Sequence, residues 1–429
     1  MTSPFDAIVV GAGPAGCSCG YTLAKSGLKT LIIERGKFPG AKNMWGGAYY
    51  GPSLNQLFPR FWEEAPVERS IHRHKFSFFT ADSSLSTEFT TKAFEGPPYQ
   101  GFSVLRSRFD RWLASKAEKA GAIVASGLKA DDLLWDGQRI SGIRAGGDEL
   151  PANVVVACDG VNSFLAEKAG LRKKLSSRDL KQGVKEVIQL PRATIEQRFG
   201  LTEDQGLAWE FIGTFTRGLP GGAFLYTNKD TLSLGVVIQL SALSDSRTRA
   251  DDLLEEFKHH PAIENLLVDG QLVEYSSHLI PVAGKAMMPK LFTDGFLVAG
   301  DAAAFCLATG LILEGAGFAF ASGLAAAETV IQAKQKGDFS EKSLSAYAEK
   351  LRQSFVQKDL ETFKKAPRAL ENPRLYRQYP ELACELAKKI FTHDGQPRRK
   401  VWNLLRQSMK NKVSLWQILR DLIQIKGSL

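Results

Sequence analysis

The segment Ser3 to Gly16 reads Ser-Pro-Phe-Asp-Ala-Ile-Val-Val-Gly-Ala-Gly-Pro-Ala-Gly, and no other stretch constrains the chain as tightly. The apolar run Ala7 to Val10 predicts a buried strand that leads straight into Gly11-x-Gly13-x-x-Gly16. A helix is predicted from Ala15 to Ser26, and a second strand from Thr30 to Glu34, ending in Glu34-Arg35. The three glycines act differently. Gly11 makes a tight turn, Gly13 lets the backbone approach a pyrophosphate, and Gly16 lets helix and strand pack closely. Val10, Pro14 and Ala15 complete the loop. The helix N-terminus behind it offers free N–H groups and a positive dipole end to an anion. Glu34 stands about 20 residues on, where a carboxylate accepts ribose hydroxyls. An acid in that place favours a free 2′-OH, hence FAD or NAD and not NADP.

Three later segments bear on which dinucleotide it is. Val104 to Leu113 looks like the opening of a helix and carries Arg106, within reach of a phosphate. Val154 to Ser163 is a strand ending in an Asp159-Gly160 turn. Asp294 to Ala303 is a buried strand that delivers Gly300-Asp301 to the start of an apolar, glycine-rich helix. Taken singly, each is compatible with ordinary strand-and-turn structure. Their order resembles the glutathione-reductase-like FAD fold in its hydroxylase-type branch, and the resemblance spans residues 5 to 335. It implies that Asp301 bonds the ribityl chain of FAD and that the helix after it points its positive end at the flavin pyrimidine, where charge builds on reduction. Gly310, Gly315 and Gly317 would let backbone approach the ring. The run Phe305 to Ala333 also has the length of a membrane span, but Glu314 and the glycines argue against that reading. No second GxGxxG is present, so a dedicated nicotinamide domain is not expected.

The expected architecture is α/β. A Rossmann-like FAD-binding domain is assembled from residues 1–69, 101–170 and 291–340. A mixed-sheet substrate or quinone domain is inserted as 70–100 and 171–290, and 341–429 form a basic helical tail. In the middle, Asn228-Lys229-Asp230 between strand-like runs predicts a hairpin. His72 and His74 share one face of an alternating strand with no ligand cluster near, and His259 and His260 precede Pro261 at a helix end, so no metal site is expected. Five cysteines without framework spacing, and no leader-like run before the glycine motif, point to the cytoplasm. Residues 331–429 hold 21 Lys and Arg against 10 Asp and Glu, a balance of +11, while the remainder is at −2. Trp402, Leu405, Met409, Val413, Trp416, Leu419 and Ile423 form one apolar stripe amid that charge, broken by a polar interval at Asn411 to Ser414. Such a stripe lies in a bilayer interface or packs on the protein's own body.

Several segments have no role in generic FAD binding and carry a closer resemblance. They include Gly40-Ala41-Lys42-Asn43-Met44 with Gly46-Gly47, Ala65 to Arg69, Gly183-Val184-Lys185-Glu186, Phe224 to Asn228, Glu371 to Arg374 and Phe391 to Gly395. Together they make the chain similar to the FixC branch of the electron transfer flavoprotein–quinone oxidoreductases, close to the geranylgeranyl reductase group. The resemblance adds Lys42, Asn43, Gly46 and Gly47 to the cofactor-binding residues. It implies electrons entering FAD from electron transfer flavoprotein subunits and leaving to quinone. It also implies a separate small ferredoxin-like iron–sulfur protein, because an Fe–S cluster needs four thiolates and only Cys306 and Cys384 lie in the last third. The chain is then expected on the inner face of the cell membrane if its tail meets lipid; nucleic acid is not an expected partner. Two departures bear on flavin potential. Leu311-Ile312-Leu313-Glu314-Gly315 stands where the family has a Phe-Thr-x-Arg-Gly-like run, and Trp45 stands where smaller residues are common. An acid at Glu314 would lower the electron affinity of the ring. The other readings are a prenyl-reducing enzyme of the geranylgeranyl reductase type, a flavin monooxygenase, or a flavin-bearing subunit without catalysis of its own.

Overall fold

The computed structural model describes residues 5–42, 47–310, 312–410 and 412–428. Phe5–Val10 lies at the centre of a parallel sheet. Thr30–Glu34 and then Ile123–Ser126 flank it on one side, Asp148–Ala157 and then Phe296–Val298 on the other. Both faces are covered, so Ala7, Ile8 and Val9 are wholly buried and the strand reads as a continuous apolar run without alternation. The helices Pro14–Lys25, Arg106–Lys119 and Ala316–Lys336 pack together over one face. Their contact is close because Gly323 leaves a gap: a Cβ there would stand 2.2 Å from both the Ala15 carbonyl and Ser18 Oγ. Asp148–Ala157 also extends into an antiparallel meander with Arg139–Ala145 and Ala130–Asp136.

A second, mixed sheet runs Gln271–Pro281, Leu180–Gln189, Thr231–Gln239, Gly221–Thr227, Gln205–Gly213, Val67–Phe79, Gly101–Val104, Ala48–Tyr50. Gln205–Gly213 and Val67–Phe79 pair parallel, and the other pairs are antiparallel. The hairpin at Asn228 forms as the sequence suggests, with Asn228 Nδ2 donating to Thr231 Oγ1 and Ser233 Oγ at 2.9 Å each. One face of this sheet buries Phe79, Trp209, Phe211, Leu234 and Val236 against Leu253, Phe257 and Ile263. Alternation then turns Lys181, Lys185, Glu210, His278 and Ile280 to the opposite face. Ala48–Tyr50 and Gly101–Val104 fall in segments assigned from sequence to the FAD-binding domain, yet they pair in this second sheet. The chain therefore crosses between layers inside those segments.

One element differs from the sequence reading. No helix follows Gly300-Asp301 directly: Gly300–Ala303 is a single 3-10 turn, and Leu307–Ala308 pairs with Leu313–Glu314 as a short hairpin. The helix begins only at Ala316. Ala304 in the left-handed region breaks the turn, and Thr309 Oγ1 accepts the Ile312 N–H to close the hairpin. Local side-chain bonding of this kind competes with helix formation. Among the described residues no helix is long and apolar enough to cross a membrane.

The tail stripe splits into Val401–Met409 and Leu415–Lys426, the second started by a capping box of Ser414 and Gln417. Met409 and Val413 pack against Leu382, while Trp402, Trp416, Leu419 and Ile423 stay exposed. The stripe therefore packs on the body through Met409 and Val413 and leaves the other four side chains on the surface. Arg374 holds the last helix to the body by donating to both oxygens of buried Asp421, at 2.6 and 2.7 Å.

Candidate functional site

The C-terminal ends of Phe5–Val10, Thr30–Glu34, Asp148–Ala157 and Phe296–Val298 open into one cleft of about 1480 Å³, open to solvent. This is where a parallel α/β sheet places its ligand. Of the residues singled out in the sequence, Val10, Gly11, Gly13, Pro14, Ala15, Glu34, Arg35, Lys42, Arg106, Asp159, Gly160, Asp301 and Gly315 line it together. Gly11 has φ +108°, and a Cβ there would stand 2.2 Å from the Cys158 carbonyl. No L-residue fits that turn.

Five expected residues stand elsewhere. Gly16 lies behind the loop, where a Cβ would be 1.7 Å from the Gly11 carbonyl. Gly300 forms the turn beneath Asp301, and its N–H donates to Ser322 Oγ at 3.0 Å. Gly47 faces the Tyr226 ring, and Gly310 sits at the hairpin tip facing Leu370; neither lines the cleft. Gly317 likewise faces the Glu314 carboxylate rather than the cleft. Asn43, Trp45 and Gly46 lie outside the described residues.

The charged groups are arranged from one end to the other. At the Thr30–Glu34 end, Glu34 is buried and accepts the Ala12 N–H at 3.1 Å and the Gly36 N–H at 2.6 Å. It therefore holds the glycine loop as well as facing the cleft. Arg106 opens its helix and reaches the loop, with its Nη2 3.8 Å from where a Cβ of Gly13 would be. Asp159 accepts the Leu165 N–H on Oδ2 at 3.1 Å, while Oδ1 is buried with no hydrogen-bond partner among the described residues. Burial pushes Asp159 up to about 6, against the pull of Arg172 and Arg35. Burial likewise pushes Asp301 up to about 6, and nearby Arg106 holds it down. A loop in which Gly11 and Gly16 leave no room for a Cβ, an unsatisfied buried acceptor and a buried guanidinium facing the loop fit a pyrophosphate-linked dinucleotide.

At the far end the lining changes to His278, Ile280, Cys306 and Leu313, contributed by the second sheet and the hairpin. Sequence reasoning did not find His278 or Ile280: they are remote in the chain and carry no motif beyond alternate positions of one strand. Burial, with Arg106 and Arg35 nearby, pushes His278 down to about 4, so it is neutral at neutral pH. Beside it on the sheet, Lys185 is fully buried and donates to Glu274 at 2.8 Å. Burial pushes Lys181 down to about 8. Glu314 borders this end, and its burial beside Asp359 raises it to about 7. It is thus close to half-neutral at pH 7, which weakens the electron-affinity effect expected of a full carboxylate. Among the described residues no group of three His, Cys, Asp or Glu side chains stands together as a metal site.

Residues 4–310 match the FAD binding domain family, and fold, cleft and match together define an FAD-dependent oxidoreductase. Residues 366–427 match the ETF-QO/FixC family C-terminal domain. The chain is 43% identical over 424 residues to the probable electron transfer flavoprotein-quinone oxidoreductase YdiS of Escherichia coli strain K12, covering 99% of this chain and 98% of that one. It is 44% identical over 418 residues to Protein FixC of the same strain, covering 97% of each. The chain belongs to the FixC and electron transfer flavoprotein–quinone oxidoreductase family. Among solved structures, a geranylgeranyl bacteriochlorophyll reductase-like protein from Thermoplasma acidophilum aligns with TM-score 0.73 at 19% identity, over 98% of this chain and 99% of that one. The flavin-dependent brominase Bmp2 aligns with TM-score 0.64 at 17% identity, over 99% and 98%. Those two likenesses are of fold alone.

Proposed function

We propose that this chain accepts electrons from an electron transfer flavoprotein onto FAD and passes them to a quinone. The observation that carries the reading is end-to-end likeness to a relative named a probable electron transfer flavoprotein-quinone oxidoreductase, combined with a cleft that fits the cofactor. When bound, FAD supplies the two-electron redox chemistry. The chain's residues bind, orient and shield it. Gly11, Gly13 and the start of Pro14–Lys25 take the pyrophosphate, with Arg106 opposite. Glu34 takes ribose hydroxyls with the lone pairs its two backbone bonds leave free. Asp301 accepts from the ribityl chain, and Asp159 Oδ1 accepts a further cofactor hydroxyl or water. Ile280, Cys306, Leu313 and Gly315 form an apolar wall at the ring end, where a quinone would enter.

The iron–sulfur protein is a separate polypeptide in this reading. The exposed face of the tail, with Trp416 75% and Ile423 62% exposed amid Lys and Arg, rests on the cytoplasmic leaflet. The test is anaerobic photoreduction of the purified protein followed by a short-chain quinone. Loss of the reduced-flavin spectrum on mixing is expected; a reduced flavin that no quinone reoxidises would overturn the reading.

A further inference from the structure

His278 and Ile280, both on Gln271–Pro281, line the far end of the cleft together with Cys306 and Leu313. That strand is the edge of the second sheet, and among the described residues Leu180–Gln189 is its one neighbour. The register sets His278 opposite Gly183 and Ile280 opposite Lys181. Directly opposed residues share a face of the sheet. Gly183 has no side chain, so the neighbouring strand puts nothing beside the imidazole. His278 and Ile280 stand about 7 Å apart along the strand, on the same side of it. Around Ile280 the wall is apolar: Val237, Cys306, Ala308 and Leu313 pack with it. Among the described residues the imidazole makes no hydrogen bond. The nearby cations are already engaged, Lys185 with Glu274 at 2.8 Å and Arg106 with Asp110 at 2.7 Å. His278 is thus an uncommitted polar group that an otherwise apolar wall presents to the cleft.

We propose that His278 binds and orients the quinone, donating a ring N–H to one carbonyl oxygen while the apolar body of the quinone lies on Ile280, Cys306 and Leu313. The inference deepens the quinone reading above and rests on it. A quinone is a flat apolar ring with carbonyl acceptors. Ligands of that kind are held by an apolar lining with a small number of placed polar groups. A neutral imidazole carries one N–H donor and one bare nitrogen. Burial, with Arg106 and Arg35 nearby, keeps the ring neutral at neutral pH. It therefore offers a donor without a charge, and burying a charge against an apolar ligand is costly. The polar groups of the cofactor are met by the glycine loop, Arg106 and Asp301, which leaves the imidazole for the acceptor. His278 acts by holding the quinone; it carries no electron.

The test compares native protein with H278F, which keeps a planar ring and loses the donor, and with H278Q, which keeps a donor. Photoreduced protein is mixed with a short-chain quinone over a range of concentrations, and separately with ferricenium, which has no carbonyl to bond. H278F is expected to raise the half-saturating quinone concentration roughly 10-fold, the worth of one hydrogen bond, with ferricenium reoxidation at the native rate. H278Q is expected to recover most of the loss. Infrared spectra of the oxidised protein with a carbonyl-labelled quinone give a readout apart from turnover. In native protein and H278Q one carbonyl stretch moves to lower frequency on binding; in H278F it does not. A half-saturating concentration and carbonyl stretch that H278F leaves unchanged overturn the assignment. So does an H278F protein that is depleted in flavin or slowed equally with both acceptors, because His278 then serves the cofactor; in each case the quinone reading stands. Native protein that ferricenium reoxidises and quinone does not would overturn the quinone reading itself, and the assignment with it.

Discussion

Arg106 and Asp110, one helical turn apart, form a buried two-point ion pair in which Nε and Nη2 of the guanidinium donate to the two carboxylate oxygens at 2.7 and 2.5 Å. The side chains are 9% and 0% exposed. Asp110 thereby fixes the plane of the guanidinium that faces the glycine loop. A bidentate pair has one geometry, which a single hydrogen bond does not impose.

D110N leaves the buried guanidinium with a neutral partner that cannot accept on both arms. Breaking such a pair costs about 3–5 kcal/mol. The expected result is a clear fall in thermal midpoint together with purified protein depleted in flavin, read by calorimetry and by absorbance per mole of protein. R106K keeps the charge and loses the fork. It is expected to lower FAD affinity at a smaller stability cost.

Glu34 serves the fold and the ligand together. E34A leaves the Ala12 and Gly36 N–H groups without their acceptor, at about 1–3 kcal/mol each if they stay dry. Loss of affinity for added FAD, by fluorescence quenching, should accompany a loss of apoprotein stability in denaturant. E34Q retains one acceptor and is expected to fall between the two. Unchanged FAD affinity in E34A would remove Glu34 from the site.

The pH dependence of cofactor retention follows from Asp159 and Asp301, both raised to about 6 by burial. Their folded values lie above the unfolded carboxyl value of 3.8, so the folded apoprotein binds more protons between about pH 4 and 6. Ionising them is therefore a cost to the apoprotein, fully present above about pH 6 and relieved as pH falls towards 4. Binding runs the other way. Protonation removes the acceptors that a cofactor hydroxyl needs, so FAD affinity is expected to drop as pH falls through 6. Flavin fluorescence released across a titration from about pH 8 to 5 measures this directly. D159N and D301N should each remove part of the dependence, and the double variant most of it.

Gly323 sets helix propensity against packing. In an isolated helix, replacing glycine by alanine is favourable by about 1 kcal/mol. Here the new methyl would stand 2.2 Å from the Ala15 carbonyl. G323A is expected to destabilise by about 1–3 kcal/mol, as overpacking does, and to shift the Pro14–Lys25 helix that carries the phosphate loop. Urea unfolding with and without FAD separates the two effects.

The exposed tail face gives a surface test. Replacing Trp416, Leu419 and Ile423 by serine is expected to abolish co-sedimentation with anionic vesicles and to leave soluble-quinone reoxidation unchanged. Neutralising Arg398, Arg399 and Lys400 should weaken binding at low salt most, because the Debye length shortens to about 8 Å at physiological ionic strength. Vesicle binding that survives both sets of changes removes the tail as the contact.

The glycine-loop end of the cleft was readable from the chain alone, since Gly11, Gly13, Gly16 and Glu34 lie within one strand–helix–strand unit whose geometry is local. The order of Arg106, Asp159 and Asp301 was enough to place them with it, and the hairpin at Asn228 followed from turn chemistry. The far end of the cleft was settled by tertiary structure. His278 and Ile280 come from a strand whose neighbours are far away in sequence, and strand order in a mixed sheet leaves no periodic trace in any one strand. The stretch after Asp301 misled for a related reason. Its apolar composition suits a helix, but Ala304, Thr309 and Gly310 hold it in a turn and hairpin that only the packed surroundings select. Local covalent and hydrogen-bonding preferences determined where the glycine loop is; long-range burial decided which side chains close the far end of the cleft and how readily its acids hold a proton.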